Sequence, residues 1–299
     1  MKILVTGSEG FLGRRLCELL EAQTEHTVLH YDLQLGHDVL NEKQLNDALD
    51  GVDACIHLAA IADLYIAEEN PERTQSINVE ATRLVLDACN QHNVRLLFAS
   101  TVCAYGNNGY EQSDENAPLA PTEVYASSKV TAESLLGDYL DKHCILRLAT
   151  FYGPDMRPSL ATSVFLRALL NDEAIHIHGD GQQTRCYTHV DDVARGILCI
   201  LESKQNGVFN VAGEDEVSVL ELIDILATIT NKTPQLQFID DRFGQIQRSN
   251  ISSNRLRGLG WVPKYSIVQG LRSCIKYPEG SGVHYHRIQN GQPWIKWEN

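Results

Sequence analysis

Tyr125 and Lys129 stand four residues apart, so on a helix they share one face. A phenol is a poor base at neutral pH unless a nearby cation stabilises its anion, and Lys129 is such a cation. The pair predicts proton transfer at a hydroxyl, although on its own this spacing is also that of an ordinary surface pair. Phe98-Ala99-Ser100-Thr101 ends an apolar run and puts hydroxyls at the carboxyl edge of a sheet, where open α/β folds bind ligands. A second cluster is Thr6-Gly7-Ser8-Glu9-Gly10-Phe11-Leu12-Gly13. Gly7 permits a sharp turn, Gly10 close approach of a diphosphate, and Gly13 close helix–sheet packing. The amides of Phe11 and Leu12 then face the ligand at the positive end of a helix. Asp32 lies about 20 residues on, where an acid bonds the adenosine ribose hydroxyls. A carboxylate there repels a 2′-phosphate, which selects NAD over NADP. Its positively charged nicotinamide ring would be a second cation beside Tyr125.

These groups need a strand before the glycines and a helix after them. Ile3-Leu4-Val5 reads as a buried parallel strand, and Phe11, Leu12, Leu16, Leu19 and Leu20 recur at helical spacing. Strands follow at Val28 to Tyr31, Ala54 to Leu58, Val94 to Phe98 and Cys144 to Leu148. Long helices are predicted from about Glu72 to Cys89 and from Glu123 to Leu140. Such alternation predicts an α/β fold, a doubly wound parallel sheet with helices on both faces. Further on, Ile175 to Ile177, Val208 to Val211 and Leu236 to Ile239 read as strands, with helices at Val190 to Leu201 and Val219 to Ile229. No linker or repeat separates the halves, which predicts interleaved lobes. The expected Rossmann-type domain takes residues 1–152 and about 186–214, and a smaller substrate lobe about 153–185 and 215–276.

The chain has 299 residues, with 25 Lys plus Arg against 39 Asp plus Glu and a formal net charge of −14. That balance argues against a nucleic-acid or anionic-membrane partner. Its 8 cysteines form no Cys-x-x-Cys pair, so neither a zinc site nor a redox motif is suggested. Met1-Lys2 opens directly into a strand, and no apolar stretch reaches membrane-spanning length. Free thiols and the missing leader predict a cytoplasmic protein. His284-Tyr285-His286 has alternate spacing that a metal could use, but a solvated or docked tail over 277–299 is the better reading, with Trp294 and Trp297 suited to docking. No metal is predicted, and His176, His178 and His189 read as structural strand residues.

From residue 2 to about 272 the chain resembles the extended short-chain dehydrogenase/reductases, particularly the NAD-dependent nucleotide-sugar epimerase/dehydratase group. The glycine turn carries the likeness first, with His37-Asp38-Val39, His57-Leu58-Ala59-Ala60 and Asn78-Val79-Glu80-Ala81-Thr82. It continues in Ser100-Thr101 before Tyr105-Gly106, Tyr125-Ala126-Ser127-Ser128-Lys129, and Leu146-Arg147 with Tyr152-Gly153-Pro154. Gly179-Asp180-Gly181-Gln182-Gln183-Thr184-Arg185, His189-Val190-Asp191-Asp192 and Leu259-Gly260-Trp261-Val262-Pro263-Lys264 complete it. The resemblance implies Thr101, Tyr125 and Lys129 as the catalytic trio. It implies NAD contacts from Asp38, Val39, Leu58, Ala59, Ala60, Asn78 and Ser100 besides the glycine turn and Asp32. It implies a nucleotide-sugar substrate, with Arg185 and Arg248 on the diphosphate, where a fork of donors suits phosphate oxygens. It also implies a homodimer paired through the two long helices.

The chain departs from that pattern where the 4,6-dehydratases carry an Asp-Glu pair after the Ser/Thr, for it has Val102 and Cys103. Eliminating water needs an acid and a base, so their loss counts against a dehydratase, although a thiol can exchange protons. Thr150 replaces a usual substrate-contacting Asn. The sequence therefore predicts an epimerase of a nucleotide-linked sugar, acting at C4 through a transient 4-keto sugar. The alternatives are an NAD(P)-dependent ketoreductase, a dehydratase using Cys103, and a non-catalytic dinucleotide sensor, a class that typically lacks the Tyr or Lys.

Overall fold

A computed structural model describes residues 1–107, 109 and 111–275; the segment with His284, His286, Trp294 and Trp297 lies outside the described residues. β1 (Lys2–Thr6) turns through the glycines into α1 (Phe11–Gln23), and β2 (Thr27–Tyr31) follows. After α2 (Glu42–Leu49) and β3 (Ala54–His57) come α3 (Leu64–Glu69), α4 (Pro71–Gln75) and α5 (Ala81–Gln91). β4 (Arg95–Thr101), α6 (Val124–Leu136) and β5 (Cys144–Leu148) complete the first half. With β9 (Gly207–Val211), these strands form one parallel sheet in the order β2-β1-β3-β4-β5-β9. The chain reverses its direction of travel between β1 and β3, and ligands bind in the crevice beyond the carboxyl ends at such a switch point.

Side-chain alternation along these strands builds a core on each face. Ile3, Val5, Ile56, Leu97 and Leu146 pack against Leu16 and Leu20 of α1 and Val193, Ile197 and Ile200 of α8 (Val190–Ser203). Leu4, Cys55, Leu96, Phe98 and Ile145 pack against Leu45, Leu49, Val85, Cys89 and Leu136 on the other face. The strand and helix order expected for a doubly wound sheet is therefore present. One expected helix is broken: the run from Glu72 to Cys89 is α4, a π turn over Ser76–Glu80, and α5. The second long helix is shorter than expected, with Glu123 as its N-cap and its regular turns ending at Leu136.

The second half adds β6 (Thr150–Tyr152), α7 (Ala161–Leu170), β7 (Ala174–His178) and β8 (Thr184–His189) before α8. β10 (Glu216–Ser218), α9 (Val219–Thr230), β11 (Gln235–Ile239), α10 (Asn254–Arg257) and α11 (Ile267–Ile275) follow β9. β10-β8-β6 form a small mixed sheet, and β11 pairs with β7 in parallel. Their own core gathers Tyr152, Phe165, Leu169, Ile177, Leu222 and Leu271. β6 follows β5 after one residue, and α8 crosses back onto α1, so the two parts share the strands and helices that join them.

Asp192 locks the late Leu-Gly-Trp segment onto α8. It is fully buried; its carbonyl accepts the Trp261 indole N–H at 3.0 Å, and its carboxylate accepts the amides of Lys264 and Tyr265 at 3.0 Å and pairs with Arg195. Removing a buried carboxylate that satisfies several donors strands them. Asp192→Ala is expected to lower unfolding free energy by about 2–4 kcal/mol. Urea unfolding at constant m-value measures it; a loss below about 0.5 kcal/mol, the size of an ordinary surface change, would contradict the lock.

Candidate active site

The glycine turn is built by close backbone packing. Gly7 has φ +70, and a Cβ there would lie 2.7 Å from the Ala59 amide nitrogen in the loop after β3. A Cβ on Gly13 would lie 2.1 Å from the Gly7 carbonyl oxygen. Gly10 caps α1 without a side chain, which leaves the first amides of the helix, Phe11 and Leu12 among them, open to an anion. Asp32 follows β2; its Oδ2 accepts the Glu9 amide at 3.0 Å and its Oδ1 the Gln34 amide at 2.9 Å. Each carboxylate oxygen keeps further acceptor capacity for a ribose hydroxyl. Asp38 accepts the Leu40 amide at 2.9 Å, beside the nearly buried Val39. A bare helix N-terminus, a cradle that admits no side chain, and an acid at the second strand fit a dinucleotide.

Buried polar contacts tie this cradle to α6. Thr6 Oγ1 lies 2.6 Å from His57 Nδ1, and His57 Nε2 lies 3.2 Å from Thr82 Oγ1. Burial, with Lys129 adding to it, pushes His57 down to about 3, so it stays neutral. Asn78 sits on the π turn, a distortion frequent at functional sites. It accepts the Ile61 amide at 2.8 Å and donates to Ser128 Oγ at 2.9 Å. The loop carrying Leu58, Ala59 and Ala60 is thus fixed against the helix that carries Tyr125.

Thr101 ends β4, and its Oγ1 accepts the Cys103 amide at 3.1 Å. Burial raises the Tyr125 phenol well above its usual range, with Cys103 adding to this; Arg157 and a hydrogen bond from Thr101 oppose it. Lys129, on the same face of α6, is 2% exposed and donates to the Ala99 carbonyl at 2.8 Å. Burial lowers its ammonium to about 7, and Glu133 acts in the opposite direction. Thr101 and Tyr125 are thus within hydrogen-bonding reach, and Lys129 lies one turn along the same face of α6 with its ammonium on the Ala99 carbonyl. Ser100 differs: its hydroxyl is taken by Glu133 at 2.5 Å.

Cys103 lies on the turn after Thr101, and burial pushes its thiol up, so it is protonated at neutral pH. Arg185, on β8, donates to the carbonyls of Thr184 and Ile246 and acts electrostatically on Cys103. Arg248 forms an ion pair with Glu216, Nε to Oε1 at 2.6 Å and Nη2 to Oε2 at 3.0 Å. Thr150 opens β6, opposite Tyr187. Three residues beside the trio carry no motif that singles them out in the sequence. Arg157 opposes the rise at Tyr125, Glu123 adds to it, and Glu133 touches Ser100. Only the Lys129–Glu133 spacing of four was a readable signal.

Residues 3–212 match the NAD dependent epimerase/dehydratase family, and the chain belongs to that family. The uncharacterized UDP-glucose epimerase YtcB of Bacillus subtilis (strain 168) is 31% identical over 93% of this chain and 98% of its own. Among solved structures, the UDP-glucuronic acid 4-epimerase of Bacillus cereus, in complex with UDP-glucuronic acid and NAD, superposes with TM-score 0.87 at 28% identity, over 93% and 98% of the two chains. The dTDP-glucose 4,6-dehydratase DesIV of Streptomyces venezuelae, with NAD bound, gives TM-score 0.87 at 26% identity, over 92% and 96%.

NAD is expected to bind at least about tenfold more tightly than NADP, since a 2′-phosphate would face a carboxylate. Asp32→Ala should narrow that ratio. Titration calorimetry with both cofactors reads it, and equal affinities in the unmodified protein would contradict the assignment.

Proposed function

We propose that this protein is an NAD-dependent epimerase of a nucleotide-linked sugar, inverting C4 through a transient 4-keto sugar. The observation that carries this reading is the Thr101–Tyr125 hydrogen bond, with Lys129 one turn on along α6 and no carboxylate at positions 102 and 103. The glycine cradle and Asp32 would hold NAD, which would supply the hydride acceptor and, once reduced, the donor. Thr101 holds the sugar's C4 oxygen, and Tyr125 takes its proton. The Lys129 ammonium stabilises the phenolate, which burial alone disfavours. Tyr125 then returns the proton once the keto sugar has turned over. Arg185 and Arg248 hold the diphosphate throughout that rotation, with Glu216 orienting Arg248.

Dehydration is disfavoured because Val102 has no acid–base group and the Cys103 thiol is raised by burial. A ketoreductase would consume a reduced cofactor in every turnover, whereas an epimerase regenerates its own. Two further parts of the reading are a cytoplasmic location and a homodimer formed through α4–α5 and α6. Among the described residues, no helix is long and apolar enough to cross a membrane.

Incubating the purified protein with UDP- and dTDP-hexoses, without added reductant, is expected to yield the C4 epimer of one of them. Tyr125→Phe should abolish turnover while leaving NAD affinity nearly intact. Product formed only with stoichiometric NADH would move the protein to the reductases. Light scattering should give twice the 33.4 kDa chain mass, and a monomer would contradict the dimer.

A further inference from the structure

Behind Lys129 lies a buried polar cluster that the reaction scheme leaves unused. Glu133 follows Lys129 by one turn of α6, and both are at most 5% exposed. Glu133 Oε2 accepts Arg147 Nη2 at 2.7 Å, and Arg147 Nε reaches both oxygens at 3.1 and 3.2 Å. Oε1 also accepts the Ser100 hydroxyl at 2.5 Å, next to Thr101 on β4. Arg147, on β5, donates onward to the Tyr105 hydroxyl at 2.9 Å and to the Glu115 carbonyl at 3.2 Å. Tyr105 in turn donates to Asn210 on β9 at 2.7 Å. One ion pair thus joins α6, β4, β5, β9 and the turn that follows Thr101.

Buried ion pairs seldom stabilise a fold more than well-packed apolar groups would, so their stability contribution is a weak reason to find one here. Its position suggests another. Resting on the proposed function, we propose that Glu133 and Arg147 are positioning residues for the proton transfer: Glu133 is the counter-charge that keeps Lys129 an ammonium beside Tyr125, and Arg147 fixes the Glu133 carboxylate in place. Lys129 otherwise faces the Ala99 carbonyl, the Phe98 ring at 4.7 Å, and His57. His57 is neutral, so Glu133 is the anion acting on Lys129, against its burial. Cys103, Glu123 and Arg157 act on the phenol directly.

Glu133→Gln removes the anion and leaves the Arg147 cation, so Lys129 loses its proton at lower pH. The high-pH limb of kcat/KM, which follows the Lys129 ammonium, should move down by about one unit. Arg147→Met keeps the anion and breaks the same pair. It should weaken the fold as Glu133→Gln does but not move the high-pH limb down.

The deciding measurement is NMR titration of the Lys129 ammonium in the NAD-saturated protein, identified as the signal lost in Lys129→Met. Glu133→Gln should lower this titration by about one unit, and Arg147→Met should not lower it. If Glu133→Gln does not fold, the double variant E133Q/R147M leaves no unpaired buried charge and should shift in the same direction by less. Titrations that superpose for wild type and Glu133→Gln, or that move equally in Arg147→Met, would overturn the proposal and reduce the cluster to packing. Because the readout needs no sugar, absence of epimerisation would sink the proposed function while this titration still decides the role of Glu133.

Discussion

The hydrogen bond from the Lys129 ammonium to the Ala99 carbonyl, 2.8 Å long and sealed from water, is the contact around which the rest is arranged. A lysine buried so completely loses its hydration and drops to about 7. Only fixed partners keep it charged near neutrality: a carbonyl, an aromatic face and a carboxylate one turn away. Each belongs to β4 or α6, so strand and helix must meet in one register. The fold meets that demand by placing α6 on the sheet face where Phe98, Ile145 and Leu136 pack together.

The cradle imposes a second constraint, which is steric. Gly7 and Gly13 pack so closely on Ala59 and on each other that any Cβ would overlap backbone. That closeness brings the ends of β1 and β3 together at the switch point of the sheet. It also leaves the α1 amides without side-chain caps. Through His57, Thr82, Asn78 and Ser128 the same loops are tied to α6, so the glycine cradle and the helix that carries Tyr125 are held as one unit.

Local patterns made the first half of the chain readable. Short apolar runs gave β1, β3 and β5 almost to the residue, because buried parallel strands have no polar face to blur them. Helix α2 was not read, since Leu45 and Leu49 are its only buried residues. Strand β10 escaped and β8 was read only at His189, for the opposite reason: Thr184-Arg185-Cys186-Tyr187-Thr188-His189 is polar in composition yet mostly buried, its groups satisfied by partners far along the chain. Tyr125 and Lys129 were legible from spacing and Thr101 from the family resemblance, whereas the Glu216–Arg248 pair, the Glu133–Arg147 pair and Arg157 depend on distant segments meeting. The π turn at Asn78 left no periodic signature, because one extra residue in a helix looks like noise over so short a stretch.

In the proposed epimerisation one hydride leaves C4 of the sugar and returns to the same carbon from the opposite side. A nucleotide sugar labelled with deuterium at C4 follows that hydride. The expected product is inverted and keeps its deuterium at C4, with no hydrogen drawn from solvent. Deuterium found at C6 with loss of water, or washed out of the product, would contradict it.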